Sequence, residues 1–272
     1  MAIQTLTKFV SSPLITLLVY GKTGTGKTTL VSKVAQFDEL APLEILDFDL
    51  RLEGLVESLP KELYERIRFQ SYRDTTIPGE AYDRMMARLR ELEDMAGKPT
   101  APKSVFLDSL TFMDRVTLDM VVYLDAQKGL KAESNKDRYG EGIASQDHYN
   151  PAMQHIEHFI QRFTGLKQKG YNVFVSAHDK EVVNPVNGQL GVGADVLGKK
   201  GIAVRLPGYF NEYWRTELQI SPIANTPVAY IVRTKGLEGV AARTSFPTVL
   251  NAVEQQDQIW QKLVTHLRQA KQ

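Results

Sequence analysis

Apolar positions along the chain fall into short continuous runs and helically spaced stripes. Leu14–Tyr20 (LITLLVY) is apolar throughout, the pattern of a strand covered on both faces. It leads directly into a glycine-rich turn and a stretch, Thr28–Gln36, that predicts a helix. Leu43–Asp49 is a second apolar run, ending in acids, and Arg66–Ser71 alternates as a strand does. Pro78–Ala96 places Ala81, Met85, Leu89, Leu92 and Met95 at helical spacing, with proline near its start. Lys103–Asp108 predicts another buried strand, followed by a helix over Leu110–Ala126. Gly129–His148 is polar and reads as a long loop. Asn150–Lys169 is amphipathic through Met153, Ile156, Phe159, Ile160 and Phe163, and Tyr171–Ala177 predicts a further buried strand ending at His178.

Strands separated by helices imply an α/β fold with a mainly parallel sheet and crossover connections. Beyond residue 180 the texture changes. Glycine and valine become frequent over Val182–Val204, and Tyr213–Ile220 and Val228–Thr234 alternate. These runs predict antiparallel strands that extend the sheet, and Val253–Ala270 predicts a closing helix. No repeat or proline-rich linker divides the chain, so residues 1–272 read as one elaborated domain.

Composition narrows the possibilities. With 33 basic and 32 acidic side chains among 272 residues, nucleic acid can be bound only through a local patch. The absence of cysteine excludes disulfides, thiolate metal sites and cysteine nucleophiles. The early apolar run is too short to span a bilayer, and it lacks the charged start and small-residue cleavage site of a signal peptide. A soluble, cytoplasmic protein is expected.

The chemistry-bearing motif is Gly21-Lys22-Thr23-Gly24-Thr25-Gly26-Lys27-Thr28, which fits G-x-x-x-x-G-K-[ST] without a mismatch. Gly21, Gly24 and Gly26 let the backbone curl so that successive N–H groups face phosphate oxygens. The helix that follows, through Thr29, offers its N-terminus to the same charge. Lys27 is placed to reach the β- and γ-phosphates of ATP, and Thr28 to ligate Mg²⁺. The buried strand before the motif and the helix after it supply the context the motif needs.

Such a site requires a second carboxylate for the metal at the end of a neighbouring strand. Asp108, closing Val105-Phe106-Leu107-Asp108, fills that place. For the group that deprotonates an attacking water, Asp49 is the leading candidate, with Asp47 and Glu53 as competitors. His178, at the tip of FVSAH, is a candidate sensor of the γ-phosphate, with Ser176 a bystander on the same face.

With GKTGTGKT, LDFD, LDSLT and VFVSAH in place, the sequence resembles the RecA-core ATPases. More narrowly, QDHYNPAMQHI, LPGYFNEYW and YIVRTKG resemble the small phage-encoded RecA-like ATPases linked to single-strand annealing recombination. The resemblance implies an ATP-dependent protein acting on single-stranded DNA as a ring or filament, with phage replication or recombination proteins as possible partners. It also implies that Arg233 and Lys235, in the Arg-Thr-Lys of YIVRTKG, complete the ATP site of a neighbouring subunit. The family usually carries a glutamate as base where this chain offers Asp49, which points to slow turnover.

Two segments carry the basic and aromatic groups that single-strand binding uses. Lys128–Tyr149 contains Lys131, Lys136, Arg138, Tyr139, His148 and Tyr149, offset by Glu133, Asp137, Glu141 and Asp147. Lys180–Arg205 contains Lys199, Lys200 and Arg205 among many glycines and is the favoured segment. Two other functions share the same cradle. One is a small-molecule kinase, for which no dense arginine lid is found. The other is a slow ATP switch such as a helicase loader.

Overall fold

The computed structural model of the chain describes residues 14–127, 144–183, 190–197, 202–219, 229–237 and 239–270. In chain order the elements are β1 (Thr16–Tyr20), α1 (Lys27–Ser32), β2 (Leu43–Asp47), α2 (Glu53–Ser58), β3 (Ile67–Ser71), α3 (Glu80–Met95), β4 (Ser104–Asp108) and α4 (Leu110–Gln127). There follow α5 (Gln146–Gly165), β5 (Asn172–Ala177), β6 (Asp179–Val183), β7 (Leu190–Ala194), α6 (Ile202–Arg205), β8 (Glu212–Gln219), β9 (Ala229–Arg233), β10 (Val253–Gln255) and α7 (Ile259–Gln269).

Among the described residues one sheet runs in the order β10-β9-β8-β1-β5-β4-β2-β3. The six strands from β8 to β3 are parallel, and β9 and β10 add antiparallel pairs at one end. The period-2 geometry of β1 splits its side chains between two layers. Leu18 and Tyr20 join a core with Met85 and Leu89 of α3, Met113 of α4 and Phe159 of α5. Leu17 and Val19 face the other way, onto Leu30 of α1, Leu55 of α2 and Trp260 and Leu263 of α7. Burial on both faces explains why β1, β2, β4 and β5 read as continuous apolar runs. The alternating β3 lies at the sheet edge, with Phe69 64% exposed.

Several expectations are corrected. Strand β8 pairs antiparallel with β9 as expected, but on its other side it joins β1 in parallel, so antiparallel pairing enters this sheet only from the β8–β9 pair outward. Strands β6 and β7 form their own two-stranded sheet instead of extending the main one. The tail begins as the strand β10, and helix starts only at Ile259. The amphipathic helix α5 begins at Gln146, inside the stretch read as loop. There His148 is buried: its Nδ1 accepts the Ser145 N–H at 2.8 Å, and its Nε2 lies 3.0 Å from Asp125 Oδ2. That is a reciprocal helix cap, and it removes His148 from the candidate DNA contacts. No described helix is long and apolar enough to cross a membrane.

Candidate nucleotide site

Because β1, β5, β4 and β2 are adjacent and parallel, their carboxyl ends lie together along one rim, where ligands of open α/β sheets bind. The glycine-rich loop leaves β1, Asp108 ends β4, His178 follows β5, and Asp49 follows β2. All four line a cavity of ≈ 670 Å³.

The loop needs its glycines for space as well as for dihedral freedom. A Cβ on Gly21 would sit 2.4 Å from the Thr216 carbonyl oxygen, so β8 can pack directly against the turn. Gly26 holds φ +80°, a left-handed conformation that glycine adopts without steric cost. Lys27, opening α1, is buried and donates from Nζ to the carbonyl oxygens of Gly21 and Lys22 at 2.9 and 3.0 Å. Burial lowers its pKa, while Asp108, Asp49 and Asp179 act in the opposite sense.

Thr28 Oγ1 donates to Asp108 Oδ2 at 2.7 Å, across 80 residues of sequence. Asp108 also accepts a hydrogen bond from Ser176, which therefore holds the acid in place and is more than a bystander. Burial, and next the charge of Asp49, push the Asp108 carboxyl up to about 6, against the lowering effect of the two hydroxyl donors. Affinity that depends on Mg²⁺ should therefore fall about tenfold between pH 7.5 and pH 5.0, since only about a tenth of Asp108 is ionised at the lower value. Titration calorimetry with Mg-ATP at the two pH values measures this. Equal affinities would contradict it.

The two aspartates after β2 have different surroundings. Asp47 is buried and turned into its own chain turn, accepting the Leu50 N–H at 2.9 Å and the Ser71 hydroxyl at 3.0 Å. Burial raises its pKa. It does not line the cavity, and its carboxylate serves the turn at Leu50, a residue with φ +56°. Asp49 does line the cavity. Its N–H donates to the Asp108 carbonyl oxygen at 3.1 Å, its Oδ1 accepts from Ser109 at 2.5 Å, and its Oδ2 is 3.6 Å from His178 Nε2. Glu53, the third candidate, opens α2 and does not line the cavity.

His178 joins the loop to the acids. Its Nδ1 lies 3.2 Å from Thr23 Oγ1, and its N–H donates to Thr111 Oγ1 at 2.9 Å. Its Nε2 is buried without a hydrogen-bond partner, 3.6 Å being too long for one, and it faces the space beside Asp49. An orphaned ring nitrogen, a glycine cradle, a lysine resting on loop carbonyls and a hydroxyl–carboxylate pair together fit a nucleoside triphosphate with Mg²⁺. Among the described residues no cluster of three or more His, Asp or Glu could hold a metal.

One strand, β5, stands between the loop strand β1 and the acid strand β4, and its tip carries His178 between them. The fold is of the α/β class. Its α/β sheet is mostly parallel, is flanked by helices and ends in antiparallel strands. No protein-family model matches the sequence, and no curated protein sequence matches it. Among solved structures, the flagellar accessory protein FlaH from Methanocaldococcus jannaschii is similar at 10% identity and TM-score 0.42, over 93% of this chain and 90% of that one. An ATPase from the type III secretion system of pathogenic bacteria is similar at 12% identity and TM-score 0.45, over 97% of this chain and 64% of that one. The RadB recombinase is similar at 13% identity and TM-score 0.39, over 85% and 86%.

Arg233 and Lys235 do not line the cavity of their own chain. Arg233 Nε is 2.7 Å from Glu217 Oε2, Glu217 also pairs with Arg215 at 3.0 Å, and Arg215 reaches Asp179 at 3.4 Å. Lys235 Nζ donates to the Pro247 carbonyl oxygen at 3.2 Å. Arg205 is exposed on α6 and pairs with Glu157 at 3.0 Å. Lys199 and Lys200 lie outside the described residues, as do Lys131, Lys136, Arg138 and Tyr139.

Sequence reading missed Ser109, Thr216 and Gln256 as neighbours of the site. Ser109 directly follows Asp108, and that position was its only signal. Thr216 and Gln256 come from the far end of the chain. Thr216 Oγ1 is 2.7 Å from Thr25 Oγ1, and Gln256 Nε2 donates to the Thr25 carbonyl oxygen at 2.8 Å. No local pattern marks either residue.

Proposed function

We propose that the chain is a magnesium-dependent ATPase that works on single-stranded DNA as an oligomer, in phage recombination, annealing or repair in the host cytoplasm. The observation that carries the ATPase reading is the 2.7 Å contact between Thr28 Oγ1 and Asp108 Oδ2 beside the glycine loop. A metal hydroxyl ligand and its acid are already paired where the phosphates would lie. Mg²⁺, when bound, neutralises charge on the β- and γ-phosphates. The loop amides and Lys27 bind and orient the phosphate chain. Asp49 takes the proton of a water held on the far side of the γ-phosphorus, and His178 Nε2 donates toward the γ-oxygens. The DNA role is supported by the sequence resemblance, and Arg233 and Lys235 of one subunit are read as groups for the next subunit's site.

The test is ATP hydrolysis with and without a single-stranded oligonucleotide, at low and moderate salt. We expect a stimulation that fades as salt rises, because phosphate contacts release counterions. A rate indifferent to DNA at low salt would remove the DNA role while leaving the ATPase.

A second reading, a slow ATP switch, is favoured by one feature. Asp49 is a short acid held by Ser109 and so is not free to swing toward a water. Asp49→Glu, which restores reach, should then raise turnover severalfold in a single-turnover assay, whereas an unchanged or lower rate would speak against it.

A further inference from the structure

The phosphate cradle is not held in shape by its own motif alone. We infer that Gln256, between β10 and α7, is a positioning residue that fixes the orientation of the peptide between Thr25 and Gly26. The inference rests on the nucleotide-binding reading of the loop.

A trans peptide is planar, so its carbonyl and its N–H point in opposite directions. Gln256 is only 5% exposed, and its Nε2 donates to the Thr25 carbonyl oxygen at 2.8 Å. With that carbonyl drawn toward Gln256, the Gly26 N–H is turned the other way, to join the amides that face the phosphates. Rotating this one peptide by half a turn would aim a carbonyl oxygen at the phosphates and remove a donor.

Glycine makes that rotation cheap. Gly26 sits at φ +80°, and without a Cβ it accepts either sign of φ. The residue that permits the cradle therefore also permits its collapse, and an outside hold is needed to select one state. Gln256 packs tightly enough to act as that hold, with its Oε1 2.7 Å from the position a Gly26 Cβ would take. The backbone of Gln256 is itself anchored, its N–H donating to the Tyr230 carbonyl oxygen at 3.2 Å. A second hold acts on Thr25 alone. Its hydroxyl lies 2.7 Å from Thr216 Oγ1 and donates to the Lys22 carbonyl oxygen at 2.7 Å, which fixes the side chain but not the plane of the following peptide.

The deciding experiment compares the full chain with Gln256→Met, which keeps length and volume but removes the donor. Titration calorimetry reads the affinity for Mg-ATP and for Mg-tripolyphosphate, which lacks a nucleoside. Both should weaken by the same factor, about tenfold for one lost hydrogen bond, with a melting temperature close to that of the parent. An unchanged affinity for both would overturn the inference. So would loss confined to ATP, which would make Gln256 a nucleoside contact. If the parent chain binds neither ligand, the nucleotide reading fails by itself. The Gly26 amide resonance of the free protein then decides the peptide's orientation. Exchange broadening or a large shift in Gln256→Met supports the hold, and a spectrum identical to that of the parent overturns it.

Discussion

Lys27→Ala should reduce ATP hydrolysis on the order of a hundredfold or more while leaving the fold intact. The two halves of this expectation have separate causes. A positioned cation facing developing phosphate charge in a partly dry site is worth several kcal/mol in the transition state, and nothing else in the cavity can supply it from the same direction. Asp49 and Asp108 are acids, and the other cations that line the cavity, Lys33 and Arg51, come from the 3-10 turn that follows α1 and from the segment after β2. Stability should hardly change, because the lysine contributes little to it. Burial lowers its pKa, so its charge is held against a desolvation cost, and its two hydrogen bonds go to loop carbonyls. A melting temperature within a few degrees of the parent, with turnover near background, is the expected pair of results. Lys27→Arg should not restore activity, since a planar guanidinium does not fit where a compact ammonium rests between two carbonyl groups. Turnover in Lys27→Ala above about a tenth of the parent rate would mean that this cradle is not where hydrolysis happens.

The parts of the site legible in the sequence are those whose chemistry is local. The loop is a contiguous motif, and Asp108 and His178 were found because each ends a continuous apolar run, which marks a strand buried on both faces. What the sequence hides is direction and distance. Alternation announces a strand but not which neighbours it takes, so the antiparallel β8–β9 pair was foreseen while the parallel junction of β8 with β1 was not. Val253–Gln255 is too short to declare itself, since Glu254 is drawn inward by the Asn251 amide and Lys262. His148 looked like a loop residue because a polar side chain was assumed to face water, whereas its ring is consumed by a helix cap. The choice between Asp47 and Asp49 depends on Ser71, at the end of β3, and Ser109, just after β4, and no spacing rule foretells those contacts. Gln256 is 231 residues from the carbonyl group it holds.

Asp108→Asn should abolish magnesium-dependent turnover and, in the metal-free protein at pH 8, raise stability. Loss of activity follows from removing the one charged partner of Thr28, so that the cation keeps its phosphates but loses its protein anchor. The gain in stability follows from the pKa. Burial, and next the charge of Asp49, push the carboxyl up to about 6 in the fold, above the ordinary aspartate value of 3.8. A raised acid pKa means that the folded chain binds the proton more tightly than the unfolded one. This group's contribution is therefore fully present below about pH 3.8 and is lost as pH rises through about 6. At pH 8 the ionised form costs about 3 kcal/mol. Asparagine removes that charge but must still meet two hydroxyl donors, Thr28 and Ser176, with one carbonyl and one amide, which returns part of the gain. A net increase of about 1–2 kcal/mol, or roughly 3–5 °C in melting temperature, is expected at pH 8. The difference should shrink toward zero as pH falls to 5, where the parent aspartate is largely protonated. Melting curves of the two proteins in EDTA across this range, read beside a hydrolysis assay in Mg²⁺, test both consequences of one buried charge. A variant that melts lower than the parent at pH 8 would show that Asp108 is a net stabilising acid and not one kept for its metal.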